Sequence, residues 1–459
     1  MYRADTIVAC ATPPGRGAVS IVRLSGPEAC SIGESMFRPR REGKPRPWTL
    51  RRGEAIDPCS GDAVDEVLSV FMPGPRSYTG EDSFEIYCHG SPLLVERLVG
   101  IALAKGARQA ERGEFTRRAV LNGRMDLLQA EAVVDLVNAE FDSGARMAWL
   151  QLQGGLSLRL SQIRSLVLGV LADVEANVDF SDDELPSENR TAQAARLRDA
   201  RAVVDELLAG AVIGRRQREG HSTVFYGLPN VGKSSIVNAV LGYGRLIVSD
   251  EPGTTRDSVV ERVELGGMGF LITDTAGIRG SRSAAETEAV TQARTQARSA
   301  DLRVLVLDGS RPLEDEDLRL LDGGAGSPDL VLINKADLGC VIGGEGLRRI
   351  AQRCGRLLQV SALTGRGCER ITGELVALAS RESALGPQPA FISRLRHRSA
   401  LEKAESNLGA ALDLLASEGE PELVALELRS ALSALSEITD AVDNEEILDR
   451  IFSEFCIGK

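Results

Sequence analysis

Five short segments of this chain carry chemistry, and their order says more than any one of them. Gly227-Leu228-Pro229-Asn230-Val231-Gly232-Lys233-Ser234 is a glycine-rich turn ending in Lys-Ser. Gly253-Thr254-Thr255-Arg256-Asp257, Asp274-Thr275-Ala276-Gly277, Asn334-Lys335-Ala336-Asp337 and Ser361-Ala362-Leu363 follow it. A glycine-rich turn of this kind aims backbone N–H groups inward, and the helix it opens adds partial positive charge, so anionic phosphates are favoured there. Alone, the turn says only that some phosphate binds, and each tetrapeptide alone could be an ordinary turn. In this order they imply a guanine nucleotide and its hydrolysis.

Each segment has a physical task. Asn230, Val231, Gly232, Lys233, Ser234 and Ser235 line the phosphates, with Lys233 reaching the β- and γ-groups and the Ser234 hydroxyl ligating Mg²⁺. Thr255 senses the γ-phosphate and completes the metal shell, and Asp274 holds the metal through water, next to Thr275, Ala276 and Gly277. Base choice falls to Asn334 and Asp337. A carboxylate only accepts hydrogen bonds, so Asp337 matches the N1–H and 2-amino donors of guanine and mismatches adenine. Leaving it unpaired would cost about 1–3 kcal/mol or more. The Lys335 stem covers the base, and the backbone at Ser361 and Ala362 reaches its O6.

Where many signalling GTPases place a water-orienting Gln after the Asp-x-x-Gly segment, this chain has Ile278. An aliphatic side chain cannot orient water. Glu286 is the nearest suitable carboxylate and Glu288 the runner-up, on a polar helical stretch from Ala284 to Ala300; the bland alternative is that both are surface charges. Asn230 offers a neutral oxygen near the β/γ bridge, where a monovalent cation could replace an arginine finger.

These residues need a scaffold. His221 to Tyr226 reads as a short buried strand and Ser234 opens an apolar helix through Ile236, Val237, Val240 and Leu241; Phe270 to Thr273 is the strand that delivers Asp274. Arg256 to Glu264 and Gly269 to Asp274 read as a hairpin turning at Gly266-Gly267. Upstream, Thr6 to Ala9, Val19 to Leu24 and Val64 to Phe71 read as strands, and Ser91 to Lys105 as a helix with Pro92 in its first turn. Leu127, Ala130, Val134, Val137 and Phe141 form one stripe of a long helix. Leu156 to Val178 and Ala192 to Leu208 continue in helical style, and the character returns to strands at Arg215 to Gly220. Helices resume at Leu401 to Leu415 and at Pro421 to Thr439, with Leu428, Leu432 and Leu435 on one face. Gly323-Gly324-Ala325-Gly326 is a loop rather than the clamp of a KH module. The expected division is a mixed α+β domain over residues 1–118, helices over 119–214, an α/β P-loop unit over 215–380 and helices again over 381–459. That is a helical domain with a nucleotide unit inserted in it.

Composition narrows the setting. The chain has 459 residues, room for about three domains. Its eight cysteines (Cys10, Cys30, Cys59, Cys88, Cys340, Cys354, Cys368 and Cys456) show no C-x-x-C or zinc spacing, which fits a reducing cytoplasm. Three histidines disfavour a His-rich metal site. The start reads as no signal peptide, and no apolar run approaches the ~20 residues of a membrane span. A net charge of −12 is unusual for a chain that grips nucleic acid by itself. RNA would then be held by a local patch or through a partner. The most basic stretch, with Arg40, Arg41, Lys44, Arg46 and Arg51, is interrupted by prolines and reads as an exposed loop.

Outside the nucleotide unit, several segments closely resemble the MnmE (TrmE) family of tRNA modification GTPases. They are Asp5-Thr6-Ile7-Val8-Ala9, Pro13-Pro14-Gly15-Arg16-Gly17, Thr79-Gly80-Glu81-Asp82, His89-Gly90, Gly113-Glu114-Phe115-Thr116, Leu121-Asn122-Gly123-Arg124-Met125-Asp126-Leu127 and Phe455-Cys456-Ile457-Gly458-Lys459. The resemblance covers essentially the whole chain. It implies an N-terminal domain that binds a formyl-tetrahydrofolate and forms a homodimer. It also implies a flavoprotein partner, MnmG, and tRNA wobble uridine as substrate. It further implies hydrolysis activated by G-domain dimerisation with K⁺ in place of an arginine finger. By the same resemblance K⁺ is held by Asn230, Ser249, Glu251 and Thr254, in a loop whose Asp250, Pro252 and Gly253 also border the nucleotide, and Glu286 orients the water. For the folate it points to Arg23, Glu85, Arg124 and Lys459. Arg124 stands where some relatives carry Lys, which keeps the charge but changes contact geometry. Cys456 is either a thiol near the one-carbon group or a small buried apolar residue.

Three classes of function remain at this point. A tRNA-modifying GTPase with a flavoprotein partner is supported by the folate-type segments and the Cys-Ile-Gly-Lys stretch. A non-catalytic switch in ribosome assembly would ordinarily bring a basic RNA-binding appendage. A folate one-carbon transferase regulated by GTP would act without a second subunit.

Overall fold

The computed structural model describes residues 5–41, 43–179, 190–246, 260–274, 297–323, 326–382, 391–417, 419–439, 445–453 and 455–459. The chain divides into two compact units. One comprises Met1–Val134, Leu152–Arg164 and Arg429–Lys459, the other Asp135–Gln151 and Ser165–Leu428.

In the first unit, β1 (Ile7–Cys10), β2 (Gly17–Ser25), α1 (Ala29–Ser35), β3 (Phe37–Pro39), β4 (Arg51–Ile56), β5 (Ala63–Met72), β6 (Ser83–Gly90), α2 (Pro92–Ala104), β7 (Arg108–Gln109) and α3 (Glu114–Leu121) follow in order. The sheet runs β3-β4-β5-β6-β2-β1-β7, antiparallel except where β1 meets β7. Alternation decides which residues are buried. Val22, Leu24, Phe84, Ile86 and Cys88 share a core with Leu98, Ile101 and Ala102 of α2. The residues between them, Arg23, Glu85 and Tyr87, therefore occupy the opposite face. Proline starts α2 at its first turn, as the sequence led us to expect. The basic stretch is not all loop: its ends are strands, and Arg38, Arg40 and Arg52 pair with Glu54, Glu66 and Glu66.

Two helical expectations need correction. The stripe from Leu127 to Phe141 is not one helix, because α4 (Leu127–Val137) ends before α5 (Asp142–Leu152) begins. Phe141 instead lies over Gly269, where an added Cβ would sit 2.3 Å from its ring, so tertiary packing overrides the 3–4 spacing. After α6 (Gly155–Asp179), α7 (Arg190–Glu219) is helical to its last residue, so the return to strands comes at Gly220 and not at Arg215. Within α6, Gly155–Ala176 is long and apolar enough for a membrane span by length and composition, contrary to the sequence reading. Leu156, Leu160, Ile163, Val167, Val170, Leu171 and Val174 are buried along one stripe, while Leu158 and Leu168 are exposed, so the helix packs by one face.

The α/β part of the second unit continues with β8 (His221–Tyr226), α8 (Lys233–Tyr243), β9 (Arg245–Leu246), β10 (Val260–Leu265), β11 (Met268–Asp274), β12 (Leu302–Asp308), α9 (Asp315–Leu321), β13 (Leu330–Asn334), α10 (Gly344–Arg353), β14 (Leu357–Gln359) and α11 (Cys368–Glu382). Its sheet order is β14-β13-β12-β8-β11-β10-β9, with β8 parallel to both neighbours. Phe225, Val304, Val306 and Leu332 pack against α8 and α11 on one face, while Val224, Tyr226, Leu305 and Ile333 pack on the other. A sheet covered on both sides explains the near-continuous apolar strands. The hairpin of β10 and β11 turns at Gly266 and Gly267, both at positive φ (57° and 79°), as a two-residue turn requires. Gly323 at the end of α9 has φ 98°, while Gly324 and Ala325 lie outside the described residues.

After this region α12 (Leu395–Ala416) packs against α7. Leu197, Ala200 and Val204 face inward from one helix, Ala400, Leu401 and Leu408 from the other, and Arg201 pairs with Glu405. In α13 (Pro421–Thr439) Leu428 and Leu435 are buried and Leu432 half-buried, so the expected face is present. The last helix, α14 (Glu445–Ser453), returns to the first unit, where Leu448, Ile451 and Phe452 pack with Leu127, Ala130 and Val134 of α4.

Candidate functional site

The phosphate turn joins the central strand β8 to α8, the place in an open α/β sheet where ligands bind. Gly227 has φ 150°, and a Cβ there would meet the Val306 carbonyl oxygen at 2.2 Å. Gly232, at φ 94°, leaves equally little room beside the Asn334 amide. Asn230 holds φ 63°, uncommon for a residue with a side chain, and is exposed at the tip of the turn. The buried Lys233 ammonium donates to the Gly227 and Leu228 carbonyls at 3.1 and 2.9 Å, within its own turn. Ser234 and Ser235 are exposed in the first turn of α8.

The residues expected from sequence to recognise the base are joined by hydrogen bonds. Asn334, buried at the end of β13, donates to the Val231 carbonyl at 2.8 Å and accepts from the Ala362 N–H at 3.0 Å. One amide thus joins the phosphate turn to the Ser361-Ala362 loop. The buried Ser361 hydroxyl donates to the Asp337 carboxylate at 2.5 Å and also accepts the Thr364 N–H. Lys335, at φ 63°, extends its ammonium to Asp308 at 2.6 Å. Burial works against the Asp308 charge, but the Lys335 hydrogen bond and two from Ser310 hold its carboxyl below the usual carboxylate range. Sequence reasoning missed Asp308; its only signal was a carboxylate ending an apolar strand.

Ser249, Asp250, Glu251, Pro252, Gly253, Thr254, Thr255, Thr275, Ala276, Gly277, Ile278, Glu286 and Glu288 lie outside the described residues. Asp274 ends β11, in register with Phe225 of β8.

A second cluster occupies the first unit. Arg23 and Glu85, opposite one another on β2 and β6, form an ion pair at 2.7 Å. The Tyr87 phenol donates to the other Glu85 oxygen at 2.6 Å. The Arg23 guanidinium lies over the rings of Tyr78 and Phe115, 5.4 and 5.7 Å from their centroids. Burial, then the hydrogen bond and charge of Glu85, push the Tyr87 phenol up to about 12, so it stays a donor throughout the physiological range. Burial also pushes the Lys459 ammonium down, with the Arg23 charge adding to it and Cys456 opposing. Arg124 donates to the Ser77 carbonyl, one residue before Tyr78. Cys456 is exposed, its carbonyl accepting the Gly113 N–H, so it is not a buried apolar residue. Gly458, at φ 101°, lies so close to β1 that a Cβ would be 2.0 Å from the Cys10 carbonyl oxygen. Behind the cluster the buried Arg118 bridges Asp5, Glu81 and Glu114.

Comparison with known proteins bears on both sites. A family profile described as "MnmE helical domain" matches residues 127–456, and one described as "GTP-binding protein TrmE N-terminus" matches residues 6–124. A tRNA modification GTPase MnmE of Heliobacterium modesticaldum is 41% identical, over 99% of each chain. The chain belongs to the MnmE family of tRNA modification GTPases. MnmE relatives from Geobacter sulfurreducens and Moorella thermoacetica, 41% and 42% identical, align over 100% and 99% of both chains. The MnmE family relation spans the first unit and the nucleotide region alike. The multidomain reading from sequence stands: an α+β N-terminal part, helices and a P-loop GTPase region.

Proposed function

We propose that the protein hydrolyses GTP and couples that hydrolysis to modification of tRNA at carbon 5 of the wobble uridine, position 34. The product is an aminomethyl-type (carboxymethylaminomethyl) group, made jointly with the flavoprotein MnmG from a formyl-tetrahydrofolate one-carbon unit. The observation that carries the guanine part is the Asn334 amide, which ties the phosphate turn to the Ser361-Ala362 loop beside Asp337.

Ser234 and Asn230, two of the residues expected to hold the ions, support this reading. Ser234 offers an exposed hydroxyl where the helix begins, and Asp274 ends the adjacent strand. Asn230 holds its exposed amide at the tip of the phosphate turn. Thr255, Ser249, Glu251 and Thr254 complete the Mg²⁺ and K⁺ sets by family resemblance, and Glu286 orients the attacking water. When bound, these cations supply the positive charge that offsets charge developing on the β- and γ-phosphates. Lys233 lies in the phosphate turn, where its ammonium suits the β- and γ-phosphates.

For the folate, Glu85 accepts from the amidine-like edge of the pterin, while Arg23, Arg124 and Lys459 suit anionic groups. The exposed thiol of Cys456 beside Lys459 supports a role near the one-carbon unit. Half-buried Ile21 and exposed Val19 and Leu68 lie on the same sheet face as Glu85. That apolar surface supports a homodimer through the N-terminal domain, and a tRNA substrate supports a cytoplasmic protein.

Deleting the gene and analysing tRNA nucleosides by mass spectrometry tests the reading. Loss of the modified wobble uridine is expected. Intact modification together with a ribosome-assembly defect would favour a non-catalytic switch. Exchanging K⁺ for Na⁺ in a GTPase assay should slow turnover by about tenfold or more; equal rates would remove Asn230 from the mechanism.

A further inference from the structure

We propose that Tyr87 is a positioning residue for the Glu85 carboxylate, fixing it to receive the flat donor edge of a 2-amino-4-oxo pterin. The inference rests on the folate reading above and deepens it. It begins from a torsional problem. The terminal carboxylate torsion of a glutamate is broad, so a single ion pair leaves the plane of the group free to rock. Recognition of two parallel N–H donors needs that plane fixed.

Two protein donors fix it here. Arg23 Nε holds Oε1 and the Tyr87 hydroxyl holds Oε2, at 2.7 and 2.6 Å. A carboxylate has about four lone-pair sites, so each oxygen keeps acceptor capacity after binding its protein donor. The donors come from different places in the sheet. Arg23 is the cross-strand partner of Glu85, and Tyr87 lies two residues further along the same strand, hence on the same face.

Tyr87 is itself held. Its cross-strand neighbours are Ile21 on β2 and Leu68 on β5, so apolar side chains flank the ring on both strands. Arg23 is fixed independently, over the Tyr78 and Phe115 rings, with the Tyr78 hydroxyl and the Thr116 hydroxyl 2.8 Å apart. Removing the Tyr87 hydroxyl therefore leaves the Arg23–Glu85 pair in place and releases only the second carboxylate oxygen. This separates Tyr87 from a residue that merely supports the fold.

The test is a double-mutant cycle on binding of 5-formyl-tetrahydrofolate to the full chain, with wild type, Tyr87→Phe, Glu85→Gln and the double variant. Tyr87→Phe should bind about 5- to 10-fold more weakly, as expected for one hydrogen bond to a charged group. Glu85→Gln should lose more, and adding Tyr87→Phe to it should cost nothing further, because both act through one carboxylate. A 2-desamino analogue should bind wild type and Tyr87→Phe equally. Thermal unfolding of each variant, expected within a few degrees of wild type, excludes loss of fold as the cause. If wild type binds the folate while Tyr87→Phe matches it, or the two losses simply add, the inference about Tyr87 is overturned and the folate site stands. If wild type binds no formyl-tetrahydrofolate, the folate reading falls and this inference with it.

Discussion

The Lys335 ammonium lies 2.6 Å from the Asp308 carboxylate, which is 8% exposed at the end of β12. The end of β12 is thus joined to the residue that follows β13. Asp308→Asn removes the charge that holds Lys335 in place. GTP KM should rise about 5- to 10-fold, in keeping with the loss of a charge-assisted hydrogen bond, while kcat changes little. Steady-state kinetics check this, and an unchanged KM would show that Lys335 needs no tether.

Under the function proposed above, Asp337 tells guanine from other purines. Its carboxylate already accepts from Ser361, which fixes the face it offers to the base. Asp337→Asn replaces an acceptor oxygen by a donor, so preference should move from guanine to xanthine nucleotides. Competition of GTP and XTP for the variant measures it; undiminished GTP preference would refute the assignment.

Arg118 is 3% exposed and serves three carboxylates, Asp5, Glu81 and Glu114. Arg118→Met leaves buried negative charge uncompensated and should cost about 3 kcal/mol of stability, read by urea unfolding. The pH dependence has a definite sign. The Arg108 hydrogen bond lowers Asp5; for Glu114 burial is the largest influence and opposes the lowering, which Arg108, the Glu111 N–H and Arg118 bring about. Groups whose carboxyls are lowered on folding stabilise fully above their ordinary values, 3.8 and 4.5, and lose that contribution as the pH falls through and below them. The wild type should therefore weaken in acid below about pH 4.5, and the variant should show a flatter acid limb.

Gly458 faces the Cys10 carbonyl at a distance that admits no side chain, and its backbone is left-handed. Gly458→Ala must shift the Phe455–Lys459 segment away from β1 and carry Lys459 with it. Formyl-tetrahydrofolate binding should weaken about tenfold, a change of about 1.4 kcal/mol. The GTP KM should stay as in wild type. Parallel titration with both ligands checks the pair of outcomes.

Much of this was legible in the chain itself. The nucleotide unit announces itself because its described motifs follow strands, where local sequence sets the turn; β8, α8, β11 and the Gly266-Gly267 hairpin follow from local pattern. Asp308 was not legible, since its meaning comes from a lysine just past the end of a neighbouring parallel strand. Tyr87 could have been noticed: it stands two residues after Glu85 on a strand, and alternation puts both on one face. The break between α4 and α5 was hidden for the opposite reason. The apolar spacing runs on to Phe141, but that ring is claimed by the bare backbone of Gly269. Arg23, Arg124 and Lys459 carry no pattern of their own, and only the family resemblance singled them out.

The helix α7 runs 30 residues and ends at Glu219; Gly220 and the six residues of β8 are all that separate it from Gly227. At 1.5 Å per residue it is a rod of about 45 Å. A tilt of about 5° at its Gly220 end would move the far end by about 4 Å on that length. A small rotation at Gly220 would thus reach Arg190 as a shift of several ångströms.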